Sequence, residues 1–231
     1  METFQQDFQV VIDGQNVPVD IRMMRRKSMR LSVTDQGRID LRIPVGCRQD
    51  DVSLFLHKHH AWLVERLQRA DVVQLRRLSE FPHLGEILPI KRTAERSLVL
   101  DADELRVPEH WTDEQMLAAM DRWRRGFARK EFERHIDTWW PVFCQYGVAR
   151  PVLRVKKMKT RWGSLSTRGY INLNLALTQV APDLIELVVV HELCHIRYMN
   201  HGAGFQRLMS QHVPDWRQRE QALDKIGRLL L

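Results

Sequence analysis

Cysteine is scarce in this sequence, and so are long apolar runs. The 231 residues include three cysteines, at positions 47, 144 and 194. An odd and widely spaced set argues against a disulfide framework and favours a reducing compartment. No apolar run approaches the span of a bilayer, and the N-terminus lacks the basic start and apolar stretch of a signal peptide. We therefore expect a cytoplasmic protein that does not enter a membrane.

Internal repeats and low-complexity segments are not evident either, which predicts a fold without repeated units. Acidic residues are outnumbered, since 36 Lys and Arg stand against 29 Asp and Glu and give a net charge of +7. Such a balance favours an anionic partner, for instance nucleic acid, a nucleotide or an acidic protein. With 44% hydrophobic residues, the chain can form one large domain or two small ones with real cores.

The first half of the chain has strand patterns around one long helical pattern. Alternating apolar residues separated by turn residues predict a small antiparallel sheet near the N-terminus. The four stretches are 8–12, 17–21, 29–33 and 38–43, with turns at 13–14 and 35–37. Asp50 can cap a long helix over 51–78, after which strand patterns return over 81–107.

A new helical pattern begins with Thr112, which can cap a helix and form a capping box with Gln115 three residues later. The apolar stripe that follows predicts a helix extending to Trp140. Because the pattern changes here from strands to helices, we place a domain boundary just before it. The chain is thus predicted to be α+β, with an N-terminal α+β domain over 1–108 and a second domain over 109–231.

The main chemical motif lies in a helical stretch that begins at Pro182, where proline fits the first helical position and Asp183 suits the helix dipole. Within it, His191, Glu192 and His195 form an H-E-x-x-H pattern. Four residues make about one helical turn, so both imidazoles project from the same face and can share one cation. This arrangement predicts a metal site with Glu192 beside it.

A third imidazole follows in the segment Asn200-His201-Gly202. Asn200 and Gly202 tolerate the left-handed conformation, so we expect them to turn the chain back towards the helix. Three histidine ligands leave a fourth coordination position for water, which is typical of catalytic rather than structural zinc. We therefore predict one zinc ion, with another divalent metal as a possibility, on His191, His195 and His201.

The expected chemistry is hydrolysis, because zinc lowers the pKa of its bound water and Glu192 can take the proton as this water attacks a peptide carbonyl. Strand patterns at 152–158 and 170–174 predict a β-hairpin just before the metal helix. The edge of such a hairpin can align an extended substrate by strand addition. The candidate substrate-binding residues on this wall are Lys159, Arg161, Trp162 and Gly163.

Several of these motifs together resemble the YgjP-like predicted metallopeptidases, relatives of the SprT-like zincins. The resemblance implies a zincin-like catalytic domain with His191, His195 and His201 as metal ligands and Glu192 as the base. One departure is Leu165, which stands where the family commonly has cysteine. The matching stretches are Arg161-Trp162-Gly163-Ser164, Ile171-Asn172-Leu173-Asn174, residues 188–195, and Asn200-His201 with Phe205.

The leading hypothesis is a zinc-dependent metallopeptidase that acts on a peptide or protein. One alternative is a metal-dependent hydrolase of the phosphoanhydride bond in a nucleotide, in which basic residues hold the phosphates. Another, of a different class, is a nucleic-acid-associated binding module whose metal is structural and whose basic surface contacts phosphates.

Overall fold

The computed structural model describes residues 8–12, 14–34 and 37–231, apart from the side chains of residues 15 and 229. This part of the chain mixes helices with small sheets, which confirms the predicted α+β class. Its strands are β1 (Gln9–Ile12), β2 (Gln15–Met24), β3 (Arg30–Val33), β4 (Ile39–Pro44), β5 (Glu80–His83), β6 (Glu86–Thr93), β7 (Val99–Leu100), β8 (Leu105–Pro108), β9 (Val152–Lys156), β10 (Gly163–Ser166) and β11 (Tyr170–Asn174). Its helices are α1 (Gln49–Lys58), α2 (His60–Ser79), α3 (Asp113–Phe143), α4 (Pro182–Cys194), α5 (Ala203–His212) and α6 (Trp216–Leu230).

The contacts within the chain divide it into two units, Met1–Ser79 and Glu80–Leu231. This division falls 29 residues before the predicted boundary at 108, because the segment that follows Ser79 packs with the C-terminal part. The backbone N–H groups of Leu84 and Gly85 donate to the carbonyls of Thr178 and Gln179, at 2.9 and 3.1 Å. These bonds tie the β5–β6 turn to the segment that precedes α4, within the second unit.

In the first unit, the strands form one sheet in the order β1-β2-β4-β3. The prediction of an all-antiparallel sheet is wrong in one respect, since β2 and β4 run parallel. The single helix predicted over 51–78 is two helices, which meet at His59. There the ring Nδ1 lies 2.9 Å from the carbonyl oxygen of Phe55, so the side chain competes for a helical acceptor. The predicted turn residues 13, 35 and 36 lie outside the described residues.

The second unit begins with a sheet that repeats the first one. Its order is β5-β6-β8-β7, and each pairing has the same direction as its counterpart. The strands β4 and β8 carry the similar sequences LRIP (41–44) and LRVP (105–108). Four residues after each proline stands the N-cap of a helix, Arg48 in one copy and Thr112 in the other, and its backbone N–H donates to the side chain three residues later, Asp51 at 3.2 Å and Gln115 at 2.9 Å. The prediction that the chain contains no internal repeat is therefore wrong.

The two copies also share a cluster of charged side chains. In the first copy Asp40 pairs with Arg22 at 3.5 Å and with Arg42 at 3.2 Å. In the second, Glu104 pairs with Lys91 at 2.5 Å and with an arginine of β8 at 3.9 Å. The strand registers place these groups in equivalent positions, with Arg22 opposite Arg42 and Lys91 opposite Arg106. A carboxylate between two cations thus links the parallel strands of each copy.

Helix α3 follows the second copy and forms a wall of the C-terminal core. Its predicted cap is confirmed. The Thr112 hydroxyl accepts from the Gln115 backbone N–H at 3.2 Å, and the Gln115 side-chain oxygen accepts from the Thr112 backbone N–H at 2.9 Å. The helix continues through Pro141 to Phe143 rather than ending at Trp140. The core that it covers includes Phe132, Ile136, Phe143, Ile171, Leu173, Val189 and Leu193, each with no measurable exposure.

A three-stranded sheet of order β10-β11-β9 lies beside the helix with the histidines. The hairpin predicted between 152–158 and 170–174 is wrong, because β9 and β11 pair in parallel and the hairpin is β10–β11. Asn174 explains the crossing, since its side-chain amide donates to the carbonyls of Met158 and Arg161 at 2.8 and 2.9 Å. These bonds hold the β9–β10 connection across the end of β11.

Helix α4 starts at Pro182, as predicted, and nine of its thirteen residues are buried. It packs against α3, α5, α6 and β10. A buried helix of this kind gives side chains at its C-terminal end a rigid support. Within the described part of the chain, no helix is both long and apolar enough to cross a membrane.

Candidate active site

Three imidazoles converge where α4 ends. His191 lies in the last turn of α4, His195 directly follows the helix, and His201 lies in the connection before α5. One ring nitrogen from each lies within 4.8 Å of the other two, and His191 Nε2 is 3.0 Å from His201 Nε2. Burial and the two neighbouring rings lower the pKa of His191 to about 4. The ring is therefore neutral near pH 7, as a metal ligand must be.

The rings are held by groups behind them. Phe205 has 1% exposure, and its ring centroid lies 4.7 to 4.9 Å from those of all three histidines. His195 Nδ1 lies 2.9 Å from the carbonyl oxygen of Tyr198, which can accept only if Nδ1 carries the proton. That tautomer leaves Nε2 of His195 free to bind a cation. The donor set and its support therefore fit a metal ion.

The path between the histidines differs from the expected one. Neither Asn200 nor Gly202 adopts the left-handed conformation. Instead the chain leaves α4 through consecutive tight turns, in which the N–H groups of Ile196 and Arg197 donate to carbonyls three residues earlier. The ring of Tyr198 then fills the space beside Gly204, where a Cβ atom would come within 2.6 Å of it. Gly204 thus allows Tyr198 to sit where its carbonyl meets His195.

Glu192, next to His191 on α4, packs against β10. Its side chain is 5% exposed, and its carboxylate accepts a hydrogen bond from the backbone N–H of Leu165. Burial raises its pKa to about 8, although the Leu165 bond and the charge of Arg161 oppose the rise. The Trp162 carbonyl accepts from the Asn174 N–H at 2.8 Å, so the ladder bonds to β11 fall on the even-numbered residues of β10. The N–H of Leu165, an odd-numbered residue, therefore faces the unpaired edge of β10.

Gly163 is the reason why the Glu192 side chain fits beside β10. A Cβ atom at position 163 would lie 2.6 Å from Glu192 Oε1, 2.9 Å from Cγ and 3.0 Å from Cδ. The first two distances are shorter than real Cβ contacts and the third is at their limit, so the carboxyl group occupies the space that a larger residue needs. The sequence predicted Gly163 as a substrate residue, whereas the structure gives it a packing contact with the predicted base.

The other predicted substrate residues have different surroundings. Lys159 and Arg161 are exposed beside this edge. Trp162 is half-buried, and its indole lies against Gly227 of α6, where a Cβ atom would be 3.5 Å from Nε1. Arg161 is the member of the group whose charge acts on Glu192. The structure thus brings Arg161, Gly163 and Glu192 together and packs Trp162 towards the core.

A set of ion pairs that the motif did not reveal fixes α4 against α6. Arg219 of α6 lies 2.9 Å from Glu186 of α4 and 2.8 Å from Asp215. Glu186 also accepts a hydrogen bond from the indole of Trp139 at 3.2 Å. Because Trp139 lies on α3, this bond connects α3 to the same group of ion pairs. The i,i+4 spacing of Asp215 and Arg219 is visible in the sequence, but their link to Glu186 is not.

Comparisons with known proteins give the class and the family. A protein-family model described as "YgjP-like, metallopeptidase domain" matches residues 27–226, which is most of the chain. The protein is accordingly a metal-dependent peptidase, and so a metallohydrolase. It belongs to the YgjP-like metallopeptidase family, as the motifs predicted.

Two solved structures are also similar to part of the chain. They are the metallopeptidase zymogens of Methanocaldococcus jannaschii jannalysin and Pyrococcus abyssi abylysin, with 20% and 23% identity. The matches cover 42% and 43% of this chain and 96% and 94% of theirs, each with a TM-score of 0.36, so they add nothing to the assignment. No curated protein matches the sequence significantly.

Proposed function

We propose that the protein is a zinc-dependent peptidase in which His191, His195 and His201 hold the metal and Glu192 is the general base. The observation that carries this proposal is the convergence of three imidazole nitrogens within 4.8 Å of one another beside a buried glutamate. A zinc ion on these ligands would supply Lewis-acid activation of water and of the scissile carbonyl. A membership of the metallopeptidase family supports the choice of substrate class.

Glu192 has the properties that a base near neutral pH needs. An ordinary glutamate is too weak a base to hold a proton near pH 7, but burial raises the pKa of Glu192 to about 8. A cation bound beside it would favour the charged form and bring the pKa down again. The N–H of Leu165 and the packing against Gly163 keep the carboxylate in one orientation, so that it takes a proton from water and delivers it to the leaving nitrogen.

The substrate, in this proposal, lies along the free edge of β10. β10 pairs with β11 on one side, and its other edge runs beside α4 and Glu192. An extended peptide can add to such an edge through backbone hydrogen bonds. Arg161 and Lys159 are exposed at the start of this edge. Arg161 is the stronger candidate to contact the scissile carbonyl, because its charge already acts on Glu192.

The experiment that tests the proposal is a comparison of Glu192→Gln with the natural protein, both loaded with zinc, on an unfolded protein substrate. Loss of the base should lower kcat by about 10²- to 10⁴-fold while the bound zinc, measured by mass spectrometry of the metal, stays at one ion per chain. Glu114→Gln on the exposed start of α3 is the control and should change neither. Full activity of Glu192→Gln would contradict the role of Glu192. Hydrolysis of nucleotides without any proteolysis would favour the phosphoanhydride alternative.

A further inference from the structure

The face of the β10-β11-β9 sheet that is turned away from Glu192 has its own polar cleft. Residues that pair directly across strands lie on the same face. Gly163 and Leu165 therefore share a face with Leu173 and Ile171, which are fully buried. The residues between them lie on the opposite face. The pairs on that face are Ser166 with Tyr170, Asn172 with Arg154, and Asn174 with Lys156.

The cleft on this outer face has a volume of about 360 Å³ and is lined by Arg154, Lys156, Ser166, Arg168, Tyr170 and Asn172. Its volume lies in the usual range of sites for small ligands, about 300 to 1,000 Å³. Three of the six lining side chains are cations. Among the described residues, no carboxylate lines the cleft and none forms an ion pair with Arg154, Lys156 or Arg168.

Arg154 is held in an orientation that suits an anion. Its guanidinium carbon lies 3.3 Å from the centre of the Tyr170 ring. An arginine stacked on an aromatic ring keeps its N–H donors in the plane of the guanidinium, where they can form two parallel bonds to a phosphate or a carboxylate. The stack thus removes part of the side-chain entropy that would otherwise be lost on binding.

The cleft also contains a buried polar side chain with an unused group. Asn172 is 7% exposed, and its amide nitrogen donates to the backbone oxygen and the hydroxyl of Ser164, at 3.2 and 3.1 Å. Its Oδ1 is buried and has no hydrogen-bond partner. Buried polar atoms normally have a partner. An amide oxygen only accepts, so Oδ1 would take a hydrogen bond from a donor on the ligand, such as a ribose hydroxyl or a base amino group, whereas the phosphate oxygens would bond to the cations.

We propose that this cleft binds a phosphate group of a nucleotide or a nucleic acid. A single carboxylate is neutralised by one arginine, whereas this cleft gathers three positive charges with no negative one. A phosphate carries up to two negative charges and several acceptor oxygens, so it matches both the charge and the forked donors of Arg154 and Arg168. The cleft is separate from the peptidase site, because the sheet itself lies between its lining residues and Glu192.

The test is a binding measurement on the full-length, zinc-loaded protein with a fluorescently labelled single-stranded oligonucleotide, followed by anisotropy. Arg154→Gln combined with Arg168→Gln should raise Kd about 100-fold, since each charged hydrogen-bonding group is worth about tenfold. Arg122→Gln combined with Arg129→Gln is the matched control. Both of these arginines are exposed on α3, so the pair has the same loss of charge and should leave Kd nearly unchanged.

Competition identifies the source of the phosphate. If ATP displaces the oligonucleotide at a similar phosphate concentration, the ligand is a free nucleotide. If ATP does not, and affinity falls steeply between about 50 and 200 mM salt, the ligand is nucleic acid. Three results would overturn the proposal: no binding of either probe, an unchanged Kd in the Arg154 and Arg168 variant, or equally tight binding of polyglutamate. Thermal unfolding and peptidase activity of the variant should match the natural protein, which separates loss of the cleft from loss of the fold or of the peptidase site.

Discussion

Replacement of Gly163 with alanine should remove most peptidase activity and leave zinc binding intact. The added Cβ atom would lie 2.6 Å from Glu192 Oε1, and its three nearest atoms all belong to Glu192. Because ordinary contacts begin near 3.4 Å, the carboxyl group must move by about 0.8 Å or the strand must move away from it. Glu192 is buried between α4 and β10, so its movement also disturbs the hydrogen bond from Leu165.

The size of the effect follows from this displacement. A misplacement of about 1 Å in a catalytic group can lower the rate about 10²-fold, so we expect a fall of that order in kcat. Overpacking of this kind typically costs about 1 to 3 kcal/mol of stability. The three atoms nearest the added Cβ all belong to Glu192 and none to an imidazole, so the zinc content should stay at the natural level.

The assay is steady-state peptide hydrolysis, read together with the zinc content and the free energy of unfolding. Gly126→Ala is the control, because the space beside Gly126 on α3 is open and alanine there should stabilise the helix by about 1 kcal/mol without a change in kcat. In a Glu192→Ala background, the loss of stability caused by Gly163→Ala should largely disappear, since the clashing atoms are gone. Natural activity of Gly163→Ala, or an undiminished stability loss in that background, would refute the reasoning.

Three further results are expected. Thr112→Ala removes the cap of α3 and should lower the free energy of unfolding by about 1 kcal/mol in urea titrations. Gly204→Ala forces the ring of Tyr198 from its place and should weaken zinc binding about 10- to 100-fold in competition with a chelator, with Gly126→Ala again unchanged. Burial lowers the pKa of His83 and of His135 below the ordinary 6.5, so the unfolded chain binds more protons than the folded one. In the metal-free Glu192→Gln variant, which removes the opposing titration of Glu192, stability should therefore fall as the pH drops below 6.5, and a flat profile there would contradict this assignment.

Local signals in the sequence were sufficient for several parts of the fold. Pro182 at the start of α4 and the Thr112–Gln115 capping box depend on residues within one helical turn, and the structure has both. The direction of β9 against β11 depends on Asn174, whose amide bonds reach back 16 and 13 residues. No local pattern reports such contacts, so the neighbouring strand patterns were interpreted as a hairpin.

The internal repeat was hidden for a related reason. LRIP and LRVP are 64 residues apart, whereas Pro18 of β2 and Pro89 of β6, which pair with the first residues of β1 and β5, are 71 apart. The connections between strands differ in length, so no single period aligns the two copies. What they share is a strand order, a charged cluster around Asp40 or Glu104, and a capped helix four residues after a proline. These features become visible only when the pairings are known.

The sequence motif also leaves one property of the candidate site undetermined, which is the pKa of the proposed base. The H-E-x-x-H spacing fixes which face of α4 carries the imidazoles, but it says nothing about the pKa of Glu192. That pKa results from burial, which raises it, and from the Leu165 N–H and the Arg161 charge, which lower it. Both of the opposing groups belong to β10 or the residues before it, about 30 positions earlier in the chain. The strand therefore tunes the base, and Gly163 permits the contact through which it does so. A change in β10 should alter the pH dependence of hydrolysis even when every metal ligand is kept.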